Sequence, residues 1–391
     1  MEALERFVFM FASTQGGKAL DVETPIPTPY GFKRMGDLAL GDKVFDEVGR
    51  VCTITFVTPV LHGRACYRVE FDDGSVLVAD AEHLWATQTA KQRASRLEAS
   101  IVTTEDIRSG LQDYRGAANH SIVMPKPVQY PERVLPVPPY TLGVWLGDGL
   151  SRGARVFSAD PEVLESIRGE GVLVGVGRTM NEGNKSLAYT IGRTTKGGND
   201  NRNPILDALR GLGVINNKHI PELYLIASVA QRTALLCGLM DTDGCCEADG
   251  RCEFSNMNER LAIGTWELLA SLGIKARLKT KTARLNGKAC GTAYRVMFTT
   301  NAPVFQLPRK LSRQGGGHRG DRKNRYIWAV APVPSRPVKC IQVDGPSRLY
   351  LAGRSCIPTH NTCLGPWWLK QEIDARGPGD YLAVTATFPL L

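Results

Sequence analysis

The stretch Ile357-Pro358-Thr359-His360-Asn361-Thr362 decides the fold when it is set beside Gly16-Gly17-Lys18, more than three hundred residues upstream. With Ala19 to Asn361 lifted out, FVFMFASTQGGK runs directly into TCLGPWWLKQEI and Lys18 meets Thr362. The joined text is a P-loop: an apolar run from Phe7 to Phe11, a loop ending Gly-Gly-Lys-Thr, then a helix-like segment. That is the context in which backbone N–H groups cradle phosphate and the threonine hydroxyl binds Mg²⁺. In the chain as it stands, the lysine and the threonine lie at opposite ends. Half a motif on each side of a long insert marks an intervening sequence that must take itself out. Gly16, Gly17, Lys18 and Thr362 are therefore expected to bind ATP phosphates only after that removal.

At 391 residues the chain has room for two or three domains, and 43% apolar with 22% charged residues describes a globular protein. No apolar run reaches membrane-spanning length and no basic, cleavable leader precedes Met1-Glu2-Ala3, so a cytoplasmic site of action in a phage or bacterial host cell is expected, with no membrane partner. The ten cysteines contain no Cys-x-x-Cys pair; Cys237, Cys245, Cys246 and Cys252 cluster without a histidine and read as reduced thiols rather than a zinc set. A net charge of +9 permits a polyanionic partner.

In chain order, residues 1–18 read as a strand and a broken P-loop. Residues 19–124 are short β-branched runs punctuated by turns such as Gly41-Asp42 and Asp72-Asp73-Gly74, the pattern of an all-β unit of hairpins. The proline-rich text at 125–139 reads as a linker. From 140 to 315 the periodicity is helical and a repeat emerges: TLGVWLGDG at 141–149 and LCGLMDTDG at 236–244, each followed by similar strand-then-helix text. Gly143, Gly147 and Gly238 would let the two apolar helices approach closely, bringing Asp148 and Asp243 together at their C-terminal ends. Two carboxylates there face each other and two negative helix ends, which calls for a divalent cation. Lys275, Arg277, Lys279, Lys281 and Arg284 alternate as on one face of a strand, which suits contact with phosphates and equally suits a solvated strand. The run from Arg309 through Lys310, Arg313, Arg319, Arg322 and Lys323 to Arg325 surrounds three glycines and reads as a flexible basic connector, with 316–326 as its linker. From 327 to 361 the text is β-like again, and 362–391 returns to the outer protein.

The paired motifs resemble those of the LAGLIDADG, or dodecapeptide-type, homing endonucleases. The resemblance covers about 140 to 300 and implies a monomeric, pseudo-twofold α/β unit, an αββαββα repeat whose sheets saddle double-stranded DNA at a homing site in the uninterrupted host gene. It implies that Asp148 and Asp243 hold Mg²⁺ for double-strand cleavage. Lys218, in Asn217-Lys218-His219-Ile220-Pro221, matches the family's lysine before the second motif, which would polarise a water; it equally reads as a surface lysine.

ALDVETPIPTPYG at the start, DGSVLVADAEHLW in the middle and IPTHN-T at the end resemble the splicing motifs of inteins, in the family's order. Together with the nuclease the resemblance covers 19–361. It implies a multidomain chain: an all-β Hedgehog/intein horseshoe carrying the inserted endonuclease, with short P-loop ATPase flanks. Most inteins begin with Cys or Ser, whereas this one begins with Ala19. Cys340 stands where most have aspartate, and with Trp85 and Thr359 it resembles the triplet of inteins that start from an internal cysteine, the third mechanistic class. The implied roles follow. Cys340 attacks the Lys18 carbonyl while His83 protonates the leaving Ala19 nitrogen. The upstream segment passes to the Thr362 hydroxyl, and Asn361 cyclises with His360 as proton donor; no cofactor is needed. Asp80 occupies the place of a threonine common three residues before the histidine.

The joined flanks resemble the ATPase of phage terminase large subunits, and as only its start is present the chain is expected to be a fragment. Two other readings remain: a splicing-dead precursor in which Ala19 is a lost nucleophile and only DNA cleavage survives, and an ATPase with an inert insertion.

Overall fold

The computed structural model describes residues 18–179, 187–193, 202–285, 288–315 and 322–360. Gly16, Gly17, Asn361 and Thr362 lie outside these residues. Two separate apolar cores organise what is described. One is built from residues of the first hundred or so positions together with residues from 327 onward, including Leu20, Val69, Trp85, Ile327, Ile341, Tyr350 and Ile357. The other runs from Val137 to Leu307 and holds the repeat.

The first unit is mostly β. Its largest sheet has six strands in the order Ser121–Val123, Asn324–Val333, Cys66–Phe71, Val76–Asp80, Leu20–Asp21, Val338–Lys339. The short Leu20–Asp21 strand is thus held between a strand from its own end of the chain and one from the far end. Its register, Leu20 opposite Ala79 on one side and opposite Lys339 on the other, carries Ala19 toward both Asp80 and Cys340. A hairpin of Leu349–Ala352 and Ile357–His360 closes the unit, and packs against Leu84–Thr87. Ends that are remote in sequence therefore meet in the core, because β pairing buries their apolar residues in one sheet.

The second unit shows the repeat as paired structure. Helix Pro139–Asp148 is followed by strand Arg155–Ser158, helix Pro161–Gly169, strands Arg178–Thr179 and Leu187–Thr190, and helix Pro204–Gly211. Helix Val229–Asp243 is followed by strands Gly244–Cys246 and Cys252–Asn256, helix Glu259–Ser271, strands Ala276–Leu285 and Lys288–Phe298, and helix Pro308–Gly315. Even the exit from each motif helix matches: Gly149 bridges Val156 as Gly244 pairs with Phe254. Among the described residues no helix is long and apolar enough to cross a membrane.

Three expectations change. The proline-rich segment at 125–139 is no free linker, because its backbone is pinned on both sides: Lys126 and Gln129 donate to the Glu47 and Gly49 carbonyls, and Val128 donates to Ser271. Gly49 adopts φ +78° and a Cβ there would lie 2.1 Å from the Pro127 carbonyl, so a side chain would expel the segment. The basic connector is in part a helix, Pro308–Gly315, with Lys310 buried; Arg319 lies outside the described residues. Lys275 turns inward, its ammonium 2.6 Å from Asp72 of the β unit, so it is not held for phosphate, whereas Arg277, 3.5 Å from the same carboxylate, stays exposed.

Candidate functional site

At the first junction the three-stranded register gathers Ala19, Asp80 and Cys340. Ala19 is fully buried and forms one small cluster with Cys66, Val338 and Cys340. The Cys340 backbone is fixed from the opposite side by Thr58, whose hydroxyl accepts from the Cys340 N–H at 3.0 Å and whose own N–H donates to the Cys340 carbonyl at 3.0 Å. The Asp80 N–H donates to the Ala19 carbonyl at 2.9 Å, and the Ala19 N–H donates to Asp80 Oδ1 at 3.2 Å. The Ala19 nitrogen thus faces Asp80, where the sequence reading expects His83 to act. Strand pairing is the reason: Asp80 follows Ala79, the partner of Leu20, and so stands beside Ala19. Arg64 reaches the other carboxylate oxygen at 3.3 Å and also approaches Glu82 at 3.6 Å. Burial lifts the Asp80 carboxyl to about 7, with the Ala19 N–H and Arg64 opposing.

His83, Trp85 and Thr359 form a second buried group. The His83 Nε2 shares a hydrogen bond with the Thr359 hydroxyl, and Trp85 packs edge-on to the imidazole with centroids 4.8 Å apart. The indole N–H donates to the Thr104 hydroxyl at 2.9 Å, and the Thr104 N–H donates to the His83 carbonyl at 2.9 Å, so Trp85 and Thr104 together fix the ring. Burial drives the His83 pKa down to about 3; the backbone of Lys18 opposes this and the nearby His360 adds to it. Burial likewise lowers His360 to about 4. Both rings are therefore neutral at neutral pH, and both stand near the end of Lys18. Asn361 and Thr362, the groups expected to complete the reaction, are outside the described residues.

At the second site the two motif helices touch through backbone. A Cβ on Gly143 would lie 2.3 Å from the Leu235 carbonyl, and one on Gly238 would lie 2.3 Å from the Tyr140 carbonyl. A Cβ on Gly147 would meet the Thr242 hydroxyl at 2.1 Å and Asp243 Oδ2 at 3.5 Å. Asp148 and Asp243 consequently end up adjacent. Burial first, then the Asp243 charge, raises Asp148 to about 6; burial raises Asp243, against a hydrogen bond from Asn256 at 2.7 Å. Carboxyls whose charged forms are this costly fit a bound cation, which would restore both to the ionised state. No group of three or more His, Cys, Asp or Glu side chains that could hold a metal occurs among the described residues, so the remaining ligands would be water, carbonyl or phosphate oxygens.

Two lysines cap the helix ends symmetrically. Lys218 donates to the Gly147 and Gly149 carbonyls at 3.0 and 2.8 Å, and burial lowers it to about 8 while Asp243 and Asp148 oppose. Lys310 donates to the Met240, Asp241 and Gly244 carbonyls at 2.9, 2.7 and 2.7 Å. Lys218 is thus more than a surface lysine. Lys310, missed in the sequence as part of a basic run, is its counterpart; Pro308 opening a helix was the available signal. Also missed was a basin of about 1030 Å³ over the three-stranded sheet, lined by Arg152, Arg155, Arg178, Arg193, Arg202 and Arg210. Those arginines are spread over sixty residues and form no run.

Twin glycine-packed helices ending in paired acids are each followed by a small antiparallel sheet, and residues 230–301 match the family model described as LAGLIDADG-like domain. Along 90% of its length the chain is similar to a protein named replicative DNA helicase DnaB from Mycobacterium intracellulare, with 39% identity over 375 residues. The chain spans 60% of that relative's length. Among solved structures, the crystal structure of the MchDnaB-1 intein is 17% identical and covers 88% of this chain and all of that one, with a TM-score of 0.31. Variants of the homing endonuclease I-DmoI are 11% identical, covering 46% of this chain and 86% of that one, with a TM-score of 0.28.

Proposed function

We propose that residues 19–361 are an intein that splices from an internal cysteine and carries a LAGLIDADG homing endonuclease. The observation that carries the splicing reading is the shared burial of Ala19 and Cys340, three hundred residues apart in sequence and placed side by side by the register of one sheet. In this reading the Cys340 sulfur adds to the Lys18 carbonyl and the Lys18–Ala19 bond breaks. The resulting thioester passes the upstream segment to the Thr362 hydroxyl. Asn361 then cyclises, cleaving its own peptide bond beside His360, and the ester rearranges to a Lys18–Thr362 amide. A thiol is only a few per cent ionised at neutral pH, but fixed placement supplies an effective molarity of about 10⁵ M or more.

Expression of the full chain followed by mass spectrometry tests it. The expected products are free 19–361 and a ligated Lys18–Thr362 joint, and Cys340→Ala abolishes both. An intact 391-residue parent chain would leave only the splicing-dead precursor or the ATPase with an inert insertion. The host is better read as a replicative helicase than as a terminase, because the relative aligned along 90% of the chain bears the helicase name.

For the nuclease, Asp148 and Asp243 would hold a divalent cation, Mg²⁺ in our reading, which when bound activates water and stabilises the leaving oxygen at a phosphate. Lys218 and Lys310 keep the two helix ends, and so the two carboxylates, in place. The arginine basin and the outer face of strand Ala276–Leu285, with Lys279 and Lys281 exposed, would receive the DNA backbone on either side of the pseudo-twofold axis.

A further inference from the structure

We propose that Asp80 is the acid that delivers a proton to the Ala19 nitrogen as the Lys18–Ala19 bond breaks. The inference rests on the splicing reading above and replaces the histidine at this step. The resting contact, Ala19 N–H to Asp80 Oδ1 at 3.2 Å, is between a planar amide and an acceptor. Once Cys340 has added, the carbon becomes tetrahedral, the nitrogen loses conjugation and becomes basic, and the hydrogen bond must reverse its sense. Of the groups placed here, Asp80 is the one already in hydrogen-bond reach of that nitrogen.

The balance closes. The Sγ–C bond forms, the C–N bond breaks, the Asp80 proton goes to nitrogen, and the proton that the thiol gives up replaces it on the carboxyl. Asp80 has no exposed surface, so water does not compete for the transfer. The charged groups around it are Arg64 at 3.3 Å and, beyond Arg64, Glu82; Cys66 stands opposite on the neighbouring strand. Burial dominates this set and keeps a neutral carboxyl populated near pH 7. His83 suits the role poorly, since its imidazole is neutral and its Nε2 is engaged with Thr359. Its station beside the Lys18 backbone fits polarising or orienting the carbonyl instead.

The test uses the full chain with Asn361→Ala, which blocks the later cyclisation, and follows hydroxylamine-dependent release of residues 1–18 by mass spectrometry. Asp80→Asn keeps the acceptor oxygen and loses the acid; it is expected to slow release by about 100-fold or more, the usual share of a general acid. Asp80→Glu, which restores an acid, is expected to release faster than Asp80→Asn. Release in Asp80→Asn at the parental rate, or an Asp80→Glu chain no faster than Asp80→Asn, would overturn the proposal. Cys340→Ala separates the two levels: if it still releases 1–18, the splicing reading fails and takes Asp80 with it, whereas silence in Cys340→Ala beside parental rates in Asp80→Asn removes Asp80 alone.

Discussion

His83 is held by the edge of Trp85, two residues on, and by the Thr359 hydroxyl and the backbone of Lys18, both remote in sequence. The price is desolvation, which keeps the imidazole neutral. Because its folded pKa, about 3, lies below the unfolded value of 6.5, the native state binds fewer protons than the unfolded state between those limits. The stability contributed by the neutral ring is complete above pH 6.5 and is lost as pH falls toward 3. His83→Gln lacks that titration. Its stability deficit relative to the parent, measured by urea melts in parallel buffers, is therefore expected to shrink steadily from pH 6.5 to pH 4. A constant deficit would mean the ring is not buried neutral. The sequence singled out His83, Trp85, Thr359 and Cys340, but it gave no sign that the resting Ala19 N–H is bonded to Asp80. Which side chain meets a backbone atom depends on strand register, and a shift of one residue turns a carboxylate from one face of a sheet to the other.

The motif helices give the same lesson at the scale of elements, with more of the answer readable in advance. Glycines at 143, 147 and 238 in apolar helices announce close backbone approach, and the helices do touch there. A methyl group on Gly238 would lie 2.3 Å from the Tyr140 carbonyl, too near for any rotamer change to relieve, so the helices must part. Gly238→Ala is expected to cost about 2–3 kcal/mol by overpacking, read by thermal or denaturant unfolding, and to depress DNA cleavage further by separating Asp148 from Asp243. Ala at that position with unchanged stability would contradict the contact. The lysine caps were half legible. Lys218 carries a motif context, whereas Lys310 is concealed among six other basic residues, and only the end of helix Val229–Asp243 tells it apart by offering unpaired carbonyls.

For the molecule as a whole, two large cores predict that the two proposed activities can be lost separately. Asp243 ends a helix whose apolar residues belong to the core that runs from Val137 to Leu307, whereas Trp85 belongs to the other core and Ala19 and Cys340 to a small separate cluster. Asp243→Asn is expected to splice at the parental rate while cleavage of the uninterrupted host sequence falls below detection, assayed on a plasmid with Mg²⁺. Loss of splicing in this variant would show that the units are not independent. They are nevertheless joined firmly. Arg232, fully buried, donates to the carbonyls of Val128, Ala227 and Ser271, tying the segment after the first β stretch to helices Val229–Asp243 and Glu259–Ser271. Lys275 adds its bond to Asp72.

By itself the sequence supplied the reading of two P-loop halves around an insert that would begin at Ala19, and it displayed a doubled apolar segment ending in acid and glycine. Such features are local strings and their repetition, and composition and spacing preserve them. Tertiary structure alone decided that Asp80 faces the Ala19 nitrogen, that Lys310 closes a helix, that Lys275 faces inward and that the proline-rich stretch is a packed seam. Each of those is a pairing between residues far apart along the chain, set by sheet register and by which buried polar group needed a partner, and neither is written in any one segment.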